Sequence, residues 1–153
     1  MILRATVKLA NKLKINPLQI YDKKVSAFEH WYGHLFSVNK IQYILFTNVY
    51  SLYSVVFTAK EVVDLECFAK TVAINLSELM HAQGIGSLNN RFVNDSFNRI
   101  EVVKTNDRSI LGSMNDMINH VEFFLNQNQI TLMDISVRLN NTPCKGSDGK
   151  GIS

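Results

Sequence analysis

The chain has 153 residues, 46% of them hydrophobic and 19% charged, with a formal net charge of +3 and a mean hydropathy close to zero. A chain of this size folds as one domain around its own core without needing a disulfide or a metal. The same figures exclude wholesale disorder and a membrane-spanning helix, because no run of about 18 apolar residues occurs.

Ile2 to Thr6 reads as a short strand, and Thr6 is placed to cap a helix on which Leu9, Ala10 and Leu13 recur at helical spacing, with Asn16-Pro17 as its stop. Residues 18–30 have no clear period and read as a loop or irregular helix delivering the aromatics Phe28, Trp31 and Tyr32. Three segments rich in β-branched and aromatic residues follow, His34–Val38, Ile41–Thr47 and Leu52–Thr58. The gaps between them suit hairpin turns and predict a three-stranded antiparallel meander. In its middle strand Ile44 and Phe46 face one side while Tyr43, Leu45 and Thr47 face the other. Two apolar faces predict helices over part of the second face, or an oligomer interface there.

Residues 60–82 return to a helical period through Val62, Leu65, Ala69, Val72, Ala73, Leu76 and Met80, with Gly84 as a left-handed stop. A shorter helix is expected from Ser87 to about Asn94, then a strand over Ile100–Lys104. The longest apolar stripe, Ile110, Leu111, Met114, Met117, Ile118, Val121, Phe124 and Leu125, predicts a core-facing helix capped by Asn106 or Asp107. Thr131, with Asp134 three residues on, opens a last helix through Leu132, Ile135 and Leu139. These elements predict an α+β domain over residues 1–142: an antiparallel sheet of four or five strands with four or five packed helices. The polar stretch 143–153 is expected to be a mobile tail.

Charge is spread unevenly. Residues 1–40 hold seven Lys or Arg against Asp22 and Glu29, and the other 113 residues hold nine basic and eleven acidic groups. A basic quarter of this kind is either a solvated helix face or a patch for phosphate or an acidic partner, nucleic acid included. Cys67 and Cys144 have no zinc-ligand spacing, and no apolar leader with a cleavage site follows Met1, so a reducing cytoplasm is the expected compartment. His30 and His34 stand four apart, but Gly33 and the strand pattern argue against the helix such a metal pair needs. No metal or cofactor is expected.

The densest polar run is Lys104-Thr-Asn-Asp-Arg-Ser109, where a strand gives way to the long helix. Lys104, Arg108 and the first helical amides suit an anion there, although the glycines of a phosphate-binding loop are missing. The same residues also suit a plain junction, with Asn106 and Asp107 capping, Ser109 in the first turn and Arg108 paired to a carboxylate. Further along, Gly112 inside the helix implies close packing or the approach of a ligand, and Ser113, Asn115 and Asp116 extend the polar set.

Several segments together resemble a family of small uncharacterised bacterial proteins carrying a domain of unknown function. They are Leu3-Arg-Ala-Thr6 with Lys8-Leu9, Trp31-Tyr-Gly-His-Leu-Phe36, Tyr43-Ile-Leu-Phe-Thr-Asn48, Leu52-Tyr-Ser54, Lys104 to Asp116 and Arg138-Leu-Asn-Asn-Thr-Pro143. In that family Ala-Asn is usual where this chain has Gly33-His34. The resemblance implies a shared fold without an activity, and it directs attention to Trp31, Thr47, Asn48, Arg108, Ser109, Gly112, Ser113, Asn115 and Asp116. Three functions are compatible with these residues. The first is a non-enzymatic binding module for a small anionic ligand or a protein partner, favoured because no nucleophile, base and electrophile set is recognisable. The second is a small enzyme acting on a phosphate-bearing substrate, with Arg108 as clamp and Asp116 or Asp107 as base. The third is nucleic-acid binding through the basic N-terminal quarter.

Overall fold

The strands β1 (Ile2–Ala5), β2 (His30–Val38), β3 (Ile41–Asn48), β4 (Ser54–Thr58) and β5 (Glu101–Lys104) form one sheet in the order β4-β3-β2-β1-β5. The computed structural model describes residues 1–18, 26, 29–84, 100–127 and 130–141. Among these residues the helices are α1 (Val7–Leu13), α2 (Leu65–Ala82), α3 (Arg108–Leu125) and α4 (Leu132–Asn141), and the fold is α+β. Phe28, the helix expected from Ser87 to Asn94, and the tail 143–153 with Cys144 lie outside the described residues.

The expectation of an antiparallel sheet is corrected: the sheet is mixed. β1 runs parallel to both neighbours, with Leu3 opposite Trp31 on β2 and opposite Val102 on β5. β2 pairs antiparallel with β3, and β3 antiparallel with β4. The parallel part fits the local structure, because the four residues of β1 are buried on both faces and lead directly into α1. A strand covered on both sides and followed at once by a helix is the opening of a parallel crossover.

Strand β2 starts at His30, four residues earlier than the sequence pattern suggests. Trp31 and Tyr32 belong to it and point to opposite faces. Trp31 stacks on Phe46 with ring centroids 4.5 Å apart, while Tyr32 joins Phe36, Leu45 and Val56 on the other side. Both faces are apolar here, so the polar–apolar alternation that marks a half-solvated strand is missing.

Helices cover both faces. Leu9, Ala10 and Leu13 of α1 and Phe68, Val72, Leu76 and Leu79 of α2 pack with Leu3, Trp31, Phe46 and Val55. Met114, Met117, Ile118 and Val121 of α3 pack against the reverse face, together with Ile135 and Leu139 of α4. Gly33 lets α1 sit close: a Cβ at that position would lie 2.5 Å from the buried Leu9 Cδ2 and 3.1 Å from Leu3 Cδ1.

Helix ends follow their local chemistry. Asp64 accepts from the Cys67 amide at 2.8 Å, so α2 begins at Leu65 rather than at residue 60. Gly84 has φ +75° and donates to the His81 carbonyl, closing α2 as a left-handed residue does. Thr131 and Asp134 form a reciprocal pair: the Asp134 amide donates to Thr131 Oγ1 at 3.0 Å and the Thr131 amide to Asp134 Oδ2 at 3.4 Å. Helix α4 then lies along the outer edge of β4. Asn140 accepts from the Ser54 amide and donates to the Ser54 carbonyl, each at 2.8 Å, and Ser136 Oγ accepts from the Val56 amide at 3.0 Å.

Candidate functional site

Strands β1 and β5 are parallel neighbours whose following helices go to opposite faces, α1 to one and α3 to the other. In open sheets such a reversal leaves a crevice beyond the carboxyl ends of the two strands, the usual seat of a ligand. Here the reversal places Thr6 after β1 and Lys104 to Arg108 after β5.

The loop between β5 and α3 is fixed by a phenol from the sheet. Tyr32, 1% exposed, receives hydrogen bonds at its hydroxyl from the Asn106 amide at 3.2 Å and the Asp107 amide at 2.9 Å, and donates to Asn106 Oδ1 at 2.8 Å. Asp107 then caps α3, accepting from the Ser109 amide at 2.9 Å and the Ile110 amide at 3.3 Å. Four amides at this junction are therefore used within the fold. An anion here would be met by the side chains of Arg108 and Ser109 rather than by the helix amides.

Lys104, Arg108 and Ser109 are exposed, as are Asn115 and Asp116. The pairing of Arg108 with a carboxylate does not occur: among the described residues the ion pair found is Lys70 with Glu66, at 3.4 Å on the solvated side of α2. Gly112 is also exposed, and a Cβ built on it meets nothing within 4 Å. Close packing therefore does not explain it. Arg108 and Ser109 precede Gly112 by four and three residues, and Asn115 and Asp116 follow it by three and four. Helical spacing puts all four around the glycine on one face.

The remaining candidates lie elsewhere. Trp31 is buried against Phe46 on the α1/α2 side of the sheet. Asn48 shapes the turn after β3, its Oδ1 accepting from the Tyr50 and Ser51 amides at 3.0 Å each and its Nδ2 donating to the His30 carbonyl at 3.4 Å. Thr47 Oγ1 shares a hydrogen bond of 2.8 Å with Ser54 Oγ inside the core, and Ser113 is buried on the inner side of α3. The structure thus gathers Arg108, Ser109, Asn115 and Asp116 on one surface, sets Trp31, Thr47, Asn48 and Ser113 within the packing, and leaves Lys104, opposite Ala5, on the sheet face of Val102 rather than that of α3.

A second polar group escaped the candidate set drawn from sequence. Arg4 is 8% exposed, with Nε donating to His30 Nε2 at 2.9 Å and Nη1 to the Lys104 carbonyl at 2.7 Å. No carboxylate pairs with it among the described residues. The signal was available: a charged residue stands in the middle of a four-residue apolar strand. On the same face Thr6 Oγ1 and His34 Nδ1 are buried with no hydrogen-bond partner among the described residues. No group of three or more His, Cys, Asp or Glu residues suited to a metal occurs among the described residues, and no helix among them is long and apolar enough to cross a membrane.

Burial lowers the pKa of both histidines below the ordinary 6.5, helped by the charge of Arg4 at His30 and of Lys8 at His34. A histidine whose folded pKa lies below its unfolded value contributes stability above the unfolded pKa and loses it as the pH falls. The melting temperature is accordingly expected to be flat above about pH 7 and to decline below 6.5, and His30→Gln with His34→Gln should flatten that decline. A profile unchanged by both substitutions would assign the acid sensitivity to other groups.

The fold and this arrangement define a small α+β domain built on a mixed sheet, with a polar helix face beside a strand reversal. The chain belongs to the family described as domain of unknown function (DUF6933), whose model matches residues 2–152. No curated protein and no solved structure matches it.

Proposed function

We propose that this protein is a non-enzymatic binding module whose contact surface is the outer face of α3 with its approach loop, and whose target is a small anionic ligand or an acidic patch on a protein partner. Gly112 carries this reading. A glycine inside a helix costs about 1 kcal/mol relative to alanine, and here it faces open space, so no internal packing repays the cost. A surface that an incoming group must approach closely does account for it. The exposed cation Arg108, one helical turn before it, supplies the preference for negative charge.

The test compares unfolding and binding. Gly112→Ala should raise stability by about 1 kcal/mol. Citrate, pyrophosphate and a poly-glutamate peptide, screened by thermal shift, should include at least one stabilising probe that emerges chemically unchanged. Arg108→Ala should remove that stabilisation while leaving the circular dichroism spectrum intact, because the cap belongs to Asp107, and Gly112→Ala should weaken it. No stabilisation by any probe, turnover of a probe, or an equal response from the Arg108 variant would each overturn the proposal.

A further inference from the structure

A second site, independent of the α3 face, is built into the sheet where β1 and β2 run parallel. Arg4 and Thr6 are two apart on β1 and its extension, and the register that sets Arg4 opposite Tyr32 and Ala5 opposite Gly33 brings Thr6 beside His34. The Thr6 amide continues the ladder by donating to the Gly33 carbonyl at 3.1 Å, with extended backbone at φ −64° and ψ 161°. Side chains alternate along a strand, so Arg4, Thr6, Tyr32 and His34 share the face on which α3 packs.

Three observations on this face lack an explanation within the fold. The Arg4 guanidinium is buried, uses two of its five N–H donors, and has no carboxylate partner among the described residues. Buried cations are ordinarily paired, because the cost of removing charge from water is otherwise unmet. Thr6 sits at the start of α1 yet makes no side-chain capping bond, leaving Oγ1 buried and unmatched. His34 Nδ1 is in the same condition on the adjoining strand. Orphaned polar atoms are rare in folded proteins, and each calls for a partner. Thr6 and His34 are only partly buried as residues, but their two unmatched atoms are covered, so a ligand meets them by displacing covering side chains.

We propose that Arg4, Thr6 and His34 form a binding site for a compact oxyanion, the carboxylate or phosphate group of a small metabolite. The guanidinium supplies charge and free donors, the threonine hydroxyl donates one hydrogen bond, and the neutral imidazole donates another from Nδ1 in one of its two tautomers. Lys8, in the first turn of α1 and close enough for its charge to act on His34, adds attraction at the rim.

Full-length protein would be titrated with inorganic phosphate and, separately, with acetate, following the His34 ring nitrogens by NMR and the melting temperature in parallel. The expected result is a saturable shift of His34 Nδ1 with one of the two ions, the ion that saturates at lower concentration identifying the group. Thr6→Val and Arg4→Gln should each weaken binding about tenfold, and Lys70→Ala, on the solvated side of α2, should leave it unchanged. Thr6→Val removes a hydroxyl that makes no hydrogen bond among the described residues, so it separates lost binding from lost structure. Absence of saturation with either ion, equal titration of wild type and Thr6→Val, or loss of the effect in Lys70→Ala would overturn the proposal.

Discussion

Replacing Asn140 with alanine is expected to lower the folding free energy by about 3 kcal/mol, the largest effect of any single polar substitution considered for this chain. One carboxamide closes both hydrogen-bonding groups of Ser54 on the free edge of β4 and also donates to the Ser136 carbonyl at 2.9 Å. Ser54 is fully buried, so water does not replace what the amide gives. Removing one partner from a buried backbone group costs about 1–3 kcal/mol, and two such groups are stranded together. For a domain of this size the loss corresponds to about 6–12 °C in melting temperature. Urea unfolding followed by tryptophan fluorescence would measure it through Trp31, which lies in the core. A change below 1 kcal/mol would mean that the α4 contact relaxes without consequence.

Tyr32→Phe is expected to cost about 2 kcal/mol and to act locally as well as globally. The substitution keeps the ring and removes the hydroxyl that holds the Asn106 and Asp107 amides. Both amides lie where β5 gives way to α3, and Asp107 is the residue whose carboxylate caps that helix. Hydrogen exchange should therefore accelerate at residues 106–110 beyond the acceleration shared by the whole domain. A uniform change across all amides would show that the phenol contributes through packing alone. Because Arg108 and Ser109 are carried by this turn, the same variant should also weaken any anion bound at the α3 face without touching a residue that contacts it.

How much of this was legible in the sequence depends on whether the cause was local. The caps at Asp107 and Thr131, the stop at Gly84 and the inner stripe of α3 all depend on residues within one or two turns, and periodicity with side-chain chemistry exposes them. The direction of β1 was not legible from alternation, because Ile2 to Ala5 is buried on both faces, Arg4 included. The start of β2 was hidden for the same reason: Trp31 and Tyr32 enter opposite cores. Within the candidate site, the exposed set around Gly112 follows from helical spacing, whereas the bond from Tyr32 to the loop before α3 joins segments far apart in the chain. Trp31, Thr47 and Asn48 came forward through family resemblance, which does not distinguish a residue needed for packing from one that meets a ligand. Arg4 illustrates the converse case, a polar residue whose importance appears only when its strand is seen to be enclosed.

The treatment of the sheet borders constrains how the molecule meets copies of itself. On one border the α4 side chains occupy the backbone groups of β4. On the other, Leu18 bridges β5, its amide donating to the Val102 carbonyl at 2.9 Å and its carbonyl accepting from the Lys104 amide at 3.0 Å. Neither margin offers a ready row of donors and acceptors to template a further strand, so fibril growth and dimerisation through a continuous sheet are both disfavoured. Among the described residues, self-association is left to side chains on the helical surfaces, where it will respond to surface charge and salt.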